Sequence, residues 1–506
     1  MPFNSIFSWL MKKRLGQIDL FRKHPIEVQS ELLQKLISNG INTEFGKKYQ
    51  LNNLESYQDF KKNVPLQEYE HVKPYVDRLM AGEQKLLWNT ETKWFAKSSG
   101  TTSDRSKFIP VTRESLEECH YKGGKDLLAM YYDTYENRKL YNGKHLIVGG
   151  SAQINHLFNN SYFGDLSAII VKNLPWWAEI RRTPAKEITL MSEWEEKIER
   201  MAQTTIHDDV YIIAGVPSWT LVLAKRILEI TGKNTLKEVW PNLELYMHGG
   251  VSFEPYREEF KRVIGFEDMH YVETYNASEG FFGIQDDPSK DGMLLMLDYG
   301  IFYEFIPMKS YNGVNSQDVI QLADVELGVE YAIVISTNAG LWRYILGDTV
   351  TFTEKVPYRF KITGRTKCYI NTFGEEVNVG NAEMAIAKAS QEANAQVRDF
   401  HACPIYMDSN DKGGHEWLIE FTREPEDFDK FKNVLDQALR DLNSDYDAKR
   451  YKNMILDFPK IHKLETGDFD RWLKSNNKLG GQNKIPRLAN NRQILEQILS
   501  TCTHHV

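Results

Sequence analysis

The sequence predicts an α/β protein, α+β overall, built from two domains, and three observations carry that expectation. At 506 residues the chain is longer than one hydrophobic core serves. Short apolar runs that stop at glycine, 145–150 and 210–214, alternate with helical stretches at 194–201 and 218–230. That alternation is the signature of strand–helix units in a parallel sheet with helices against it. After Lys361-Ile362-Thr363-Gly364-Arg365 the pattern starts again on a smaller scale, which places the boundary between a large domain, 1–363, and a small one, 364–506.

The elements follow in order. The first ninety residues read as helical. Pro25 opens a helix whose apolar positions Val28, Leu32, Leu33, Leu36 and Ile37 share one face and which stops at Gly40. A second helix is expected over 68–80. A third starts at Thr112, with Glu114 and Glu117 favourably placed in its first turn. Beyond the alternating section, 243–247 reads as a strand running into His248-Gly249-Gly250, and 271–275 as a strand ending at Asn276-Ala277-Ser278-Glu279-Gly280. Closely spaced strands at 294–297, 302–306, 331–336, 342–345 and 350–352 predict an antiparallel, β-barrel-like or meander section. In the smaller region 415–421 reads as a strand and 427–442 as an amphipathic helix.

Composition narrows the function. With 42% hydrophobic and 26% charged residues the chain is an ordinary soluble globular protein. A net charge of -8 argues against nucleic acid as a partner. No apolar run approaches the ~20 residues that span a bilayer, so no membrane association is expected. The N-terminal stretch lacks the basic start and small-residue cleavage site of a secretory signal. The four cysteines are far apart and the histidines show no ligand spacing, which predicts a cytoplasmic protein with free thiols and no structural zinc.

Four stretches carry candidate chemistry. Lys97-Ser98-Ser99-Gly100-Thr101-Thr102-Ser103-Asp104-Arg105-Ser106-Lys107 sets hydroxyls, a glycine and basic residues between two apolar runs. Hydroxyls and open backbone N–H groups can bond several phosphate oxygens, and a lysine adds a point charge. A Walker loop is excluded, because that motif needs a glycine directly before Lys-Ser/Thr at a helix start. The plain alternative is a polar hairpin loop. His248-Gly249-Gly250 lets a flat ring or an anion approach a strand end. In Thr274-Tyr275-Asn276-Ala277-Ser278-Glu279 the tyrosine could stack on a base and the carboxylate could hold Mg2+ bridging phosphates; a buried tyrosine and a solvated glutamate are the alternative. In Arg343-Tyr344-Ile345-Leu346-Gly347-Asp348 the aspartate could accept both hydroxyls of a ribose, or could belong to an ordinary turn.

Taken together and in this order, the motifs resemble the acyl-acid amido synthetases of the plant auxin-responsive promoter family and their bacterial relatives. These sit within the acyl-adenylate-forming superfamily that includes luciferases and acyl-CoA ligases. The resemblance covers nearly the whole chain. Ser98 to Pro110 matches the family's phosphate loop, Tyr275 to Glu279 its tyrosine-to-Ser-Glu motif, and Tyr344 to Asp348 its Tyr-Arg-Leu-Gly-Asp motif. The stretch 362–383, with Gly364-Arg365 and Phe373-Gly374-Glu375, resembles the superfamily's hinge. Gly480-Gly481-Gln482-Asn483-Lys484 resembles its catalytic glycine loop. The chain departs from the pattern at Ser103 and Asp104, where glycine is usual, and at Ile345, where arginine is usual, although Arg343 stands two residues away.

The resemblance implies a luciferase-like architecture with a mobile small domain, ATP and Mg2+ as cofactors, and an acyl acid and an amino acid as small-molecule partners. It makes Lys484, Lys107 and Glu279 the catalytic groups, with Glu279 on Mg2+ through ATP. It gives the nucleotide to Ser98, Ser99, Gly100, Thr101, Thr102, Gly249, Gly250, Tyr275, Asn276, Ser278, Asp348 and Arg365. His248 is the polar candidate beside the acyl carboxylate, and the aromatics between Phe158 and Trp177 either line an acyl pocket or are core. The expected reaction is adenylation of an acid followed by amide formation. An acyl-CoA ligase on the same scaffold is the first alternative, and a non-catalytic nucleotide-binding sensor the second.

Overall fold

The computed structural model of the protein describes residues 2–98, 107–135, 140–149, 154–157, 160–191, 193–250, 253, 257–366, 369–370, 375, 377–405, 413–443, 446–447, 450, 456–476, 484–489 and 491–502. The chain separates into two compact units. The larger holds Met1–Gly100, Arg105–Leu346 and Val350–Ile362; the smaller holds Thr101–Asp104, Gly347–Thr349 and Thr363–Val506.

The larger unit is organised on a twelve-stranded sheet. From one edge its order is Ile320–Gln321, Ile301–Pro307, Glu330–Thr337, Tyr344–Lys355, Tyr358–Arg365, Met293–Leu295, Gly280–Ile284, His270–Ala277, Leu245–Gly249, Val210–Gly215, Lys144–Val148 and Arg182–Thr183. Strands on the Lys144 side pair in parallel, with Met247 aligned to both Ala214 and Val272. From His270–Ala277 onward, Gly280–Ile284, Met293–Leu295 and Tyr358–Arg365 pair antiparallel in turn, as do Ile301–Pro307 and Glu330–Thr337. The strands expected to make a barrel-like section are therefore the antiparallel half of the same sheet. His270–Ala277 is the strand on which pairing changes sense, and open α/β sheets bind ligands beyond strand carboxyl ends near such a switch.

Helices Trp194–Thr205, Pro217–Thr231 and Arg257–Ile264 cover the parallel half. Leu223, Ile227, Phe260 and Val263 share a buried cluster there with Leu146, Ile213 and Tyr246. Pro217 stands in the first helical turn, where its missing N–H costs nothing, and Gly232 ends the helix at φ 64°. Helix Pro25–Gly40 presses its apolar face on the antiparallel half. Its buried Gln29 donates to the carbonyls of Leu297 and Ile301 and accepts from the N–H of Tyr303. A Cβ on Gly40 would lie 2.6 Å from the Trp342 ring, so only glycine lets the helix end close on that indole. The first helix is tied down by Arg14, which bonds Asp126 and Asp298 at 2.6 Å each.

Two elements differ from expectation. The strands expected at 342–345 and 350–352 are one strand, Tyr344–Lys355, because Gly347 takes φ 93° without interrupting it. The helix expected from Thr112 begins with Arg113–Ser115, widens to a π-helical turn over Leu116–His120, and resumes as Tyr121–Thr134.

The smaller unit has a three-stranded sheet, Gln396–Ile405, Gly414–Arg423 and Lys460–Leu464 in that order, antiparallel then parallel. Helices Val379–Glu392 and Phe428–Leu442 pack on it through Ala385, Ala389, Leu435 and Leu439. Among the described residues no helix is long and apolar enough to cross a membrane. Cys119 and Cys403 are buried free thiols.

Candidate active site

In the larger unit the candidate residues gather at strand ends. Trp94–Ser98 and Lys107–Val111 pair antiparallel with Ser98 opposite Lys107, so both halves of the expected phosphate loop start from one hairpin. Ser99, Gly100, Thr101 and Thr102 lie outside the described residues, as do Ser103 and Asp104, and of Ser98 only the backbone is described. The Lys107 ammonium stands 5.7 Å from the centroid of the Tyr69 ring, whose hydroxyl accepts the N–H of Phe108 at 2.8 Å. Cation–π contact and this bond hold the lysine's base at the mouth of the loop.

Tyr162–Gly164 runs parallel to Trp94–Ala96, so the next residue, Asp165, falls beside Lys97. Burial pushes the Asp165 carboxyl up to about 6, opposed by the charges of Lys97 and Lys197. Lys197 is fully buried and donates to the carbonyl of Gly149 at 3.1 Å; burial lowers it to about 8, with Asp165 opposing. The sequence reading missed this pair, because nothing in local spacing joins helix 194–205 to residue 165.

Leu245–Gly249 delivers His248, which is 4% exposed. Its ring stacks on Phe253 at 4.1 Å, and burial, with the nearby charge of Arg257, lowers its pKa to about 3. The imidazole is therefore neutral at physiological pH, and its Nδ1 is buried with no hydrogen-bond partner among the described residues. A Cβ on Gly249 would lie 2.3 Å from the carbonyl oxygen of Thr274, so glycine is required for the two strands to close. Gly250 turns the chain away at φ 79°.

Strands His270–Ala277 and Gly280–Ile284 form a hairpin with Ala277 opposite Gly280, so Ser278 and Glu279 are its two-residue turn. The π-helical turn holds the turn's flanks from behind. His120 Nδ1–H donates to Asn276 Oδ1 at 3.1 Å, and Cys119 Sγ accepts the N–H of Phe281 at 3.2 Å. Burial lowers His120 to about 4 against the Asn276 bond, and raises the Cys119 thiol to about 12. Both groups stay neutral, and a π turn at this position fits the frequent placement of such turns at functional sites. No sequence signal marks either residue.

Two expectations change here. Tyr275 packs its ring against Phe282 at 4.8 Å and Phe360 at 6.0 Å and is 6% exposed, so little of the ring is left open to a stacked base. It is the next residue along the strand, Asn276, that is exposed. Arg343 does not stand in for the arginine replaced by Ile345. Its guanidinium is buried on Glu304 at 2.9 Å and donates to the carbonyls of Lys61 and Val64.

In the smaller unit Gly347-Asp348-Thr349 lies beside the segment that follows Ile362. Arg365 Nε donates to Asp348 Oδ1 at 2.8 Å, the Thr366 N–H bonds the Gly347 carbonyl, and the hydroxyls of Thr349 and Thr363 are 3.0 Å apart. A Cβ on Gly380 would meet the Thr363 carbonyl oxygen at 2.4 Å, which closes helix 379–392 onto this segment. Lys484 stands near the same arginine. Surrounding protein, Arg487 and Arg365 press its pKa down to about 8. The charges of Asp399 and Glu383 oppose the shift. Of the expected hinge and loop residues, Phe373, Gly374 and Gly480 to Asn483 lie outside the described residues, while Glu375 is buried and paired with His415 at 3.0 Å.

The donor set fits a magnesium nucleotide. Among the described residues there is no cluster of three or more His, Cys, Asp or Glu side chains that would cage a metal. A single turn carboxylate, Glu279, suits Mg2+, which takes one or two protein carboxylates and completes its shell with phosphate and water.

The chain matches the model of the GH3 family N-terminal domain over residues 14–269, that of the GH3 family central domain over 294–365, and that of the GH3 family C-terminal domain over 380–493. It is 25% identical to the 4-substituted benzoates-glutamate ligase GH3.12 of Arabidopsis thaliana, across 94% of each chain. Its fold superposes on the GH3.15 acyl acid amido synthetase with a TM-score of 0.79 at 19% identity, covering 96% of this chain and 95% of that one. A 2-hydroxyisobutyryl-CoA ligase shares the fold at a TM-score of 0.59 and 12% identity, over 94% of this chain and 91% of the other.

Proposed function

The chain belongs to the GH3 family, and on that premise we propose that it activates an acyl acid with ATP and transfers the acyl group to an amino acid. What carries the reading is the run of three GH3 domain matches in order along residues 14–493, with an amide-forming ligase as a relative across 94% of the chain. The work divides between an ATP- and acyl-binding large domain, 1–363, and a small domain, 364–506, that brings the catalytic lysine.

A carboxylate is a poor electrophile because resonance and charge repel nucleophiles. In the first step a carboxylate oxygen of the acid attacks the α-phosphorus of ATP; the bond to the bridging oxygen breaks and pyrophosphate leaves. In the second the amine nitrogen attacks the acyl carbon, AMP leaves with the electron pair of the C–O bond, and the nitrogen loses a proton to solvent. Lys107 and the loop Ser98, Ser99, Gly100, Thr101 and Thr102 would hold the β- and γ-phosphates. Mg2+ on Glu279 would screen their charge. The adenine would lie along the Gly249-Gly250 backbone beside Asn276 and Ser278, with the edge rather than the face of Tyr275 near it. Asp348 would take the ribose hydroxyls and Arg365 a phosphate or ribose oxygen. The neutral imidazole of His248, whose Nδ1 has no hydrogen-bond partner among the described residues, would meet the acyl carboxylate as a donor in its Nδ1–H form. Lys484 would carry charge on the attacking oxygen and the α-phosphate, a contribution of ~3–4 kcal/mol for one well-placed donor. Buried thiols at Cys119 and Cys403 suit a reducing compartment, the cytoplasm.

The test is pyrophosphate release with ATP, Mg2+ and a panel of 4-hydroxybenzoate, indole-3-acetate and octanoate, followed by mass analysis with an amino-acid mixture or CoA. Acid-dependent release with an amide product is expected, abolished by Lys484→Ala with ATP binding retained. A CoA thioester as the product would replace the amide reading. ATP binding with no release across the panel would leave a sensor.

A further inference from the structure

In the smaller unit Gln396–Ile405 is an outer strand, and residues 486–489 lie along its free edge. The Ala402 N–H donates to the Arg487 carbonyl at 2.9 Å, the Ala489 N–H donates to the Ala402 carbonyl at 3.0 Å, and Ala402 bridges Leu488. The Arg487 guanidinium lies 4.6 Å over the Phe400 ring and within 3.4 Å of Asp399 and 3.8 Å of Glu383. One position earlier, His401 is fully buried, and its Nδ1–H donates to the carbonyl of Pro486 at 2.5 Å. Four consecutive residues, Asp399 to Ala402, thus each hold part of the segment that follows Lys484.

Pro486 explains why a side chain is recruited. It has no N–H, so its carbonyl is the only backbone group through which a neighbour can hold it. The strand's own backbone bonds begin only at Arg487, and the imidazole extends that grip one residue toward Lys484. Ile485, between them, is 3% exposed in the cluster of Cys403, Leu418 and Trp472. With Ile485 in the core and Pro486 bonded, the lysine's Cα has a fixed origin, and only its own side chain remains to be ordered.

We propose that His401 is a positioning residue for Lys484, holding the lysine's backbone in the place from which it serves adenylation. This rests on the reading of Lys484 as the adenylation lysine. A misplacement of ~1 Å of a catalytic group can cost ~10²-fold in rate, so loss of this bond should register in the first half-reaction and spare the second.

The two half-reactions can be read separately, as ATP–pyrophosphate exchange and as aminolysis of added acyl-adenylate, using the panel acid that gives the fastest wild-type exchange. His401→Leu and His401→Gln should lower kcat for exchange roughly 30-fold, with KM for ATP unchanged within about twofold. His401→Asn, whose Nδ2 donor replaces Nδ1–H, should recover exchange to within about threefold of wild type. Aminolysis should stay within about twofold in all three. Equal losses in both half-reactions, no loss in either, or failure of the asparagine to recover exchange would each overturn the proposal. Lys484→Ala run in parallel separates the layers. If it leaves exchange unchanged, the lysine assignment falls; if it abolishes exchange while His401→Leu does not lower it, only the positioning role falls.

Discussion

Asp348 offers a perturbation whose effects on folding and on binding should separate by an order of magnitude. Its side chain is 11% exposed and bonded by Arg365 Nε at 2.8 Å, but the Arg365 side chain is 47% exposed. A pair with one member this open to water contributes about 0–1 kcal/mol to stability. Two ribose hydroxyls donating to an ionised carboxylate are worth more, about 1.5 kcal/mol each at the low end for bonds to charged groups. Asp348→Ala should therefore weaken ATP binding by about 3 kcal/mol, or about 10²-fold in Kd, while lowering unfolding free energy by no more than about 1 kcal/mol. Asp348→Asn keeps the shape and one acceptor and should fall between. Arg365→Ala removes the ion pair and leaves the carboxylate, so its urea unfolding reports the pair's share of stability. Calorimetric titration with ATP and Mg2+ in the absence of acid gives Kd, and urea unfolding gives the stability change. An ATP Kd within about threefold of wild type in a folded Asp348→Ala protein would refute the ribose assignment.

Two further expectations concern charge. In the proposed role Lys484 works as an ammonium, and the surrounding protein, with Arg487 and Arg365, lowers its pKa to about 8, below the ordinary lysine value. Pyrophosphate release should be full below that pH and lost as pH rises through it, and Lys484→Arg should move the alkaline limb upward; a flat profile to pH ~10, where ordinary lysines begin to titrate, would contradict the role. Glu304→Gln should lower the stability of the larger unit by about 3 kcal/mol, because it strands a buried Arg343 whose pairing with Glu304 is 1–4% exposed on both sides. A change in the urea midpoint equivalent to less than about 1 kcal/mol would show that the guanidinium is satisfied by the Lys61 and Val64 carbonyls alone.

Much of this architecture is legible in residue order, because local chemistry sets it. Pro25 and Gly40 bound a helix that runs Pro25–Gly40, and the helix expected over 68–80 runs Tyr69–Met80. The motif residues Gly249 and Ser278-Glu279 fall where strands end, as their small or turn-forming side chains require. What stayed hidden depends on contacts distant in sequence. Strand Gln396–Ile405 does not announce itself, since Arg398, Asp399, His401 and Pro404 interrupt any apolar alternation, yet it forms an edge of the smaller unit's sheet. The grip of Cys119 and His120 on the hairpin turn needs a π turn that no spacing encodes. Tyr275 shows the converse: the motif is present, but Phe282 and Phe360, from neighbouring strands, take up its ring.

The sulfur of Cys119 gives this protein a reporter of its own. Its thiol is 1% exposed, its pKa stands at about 12, and it accepts the backbone N–H just beyond the Ser278–Glu279 turn. An alkylating reagent meets it only when the hairpin parts from the helix, so the labelling rate measures how often that happens. The opening frequency of the Ser278–Glu279 turn can thus be followed with and without nucleotide by mass spectrometry, without adding a dye or changing a residue.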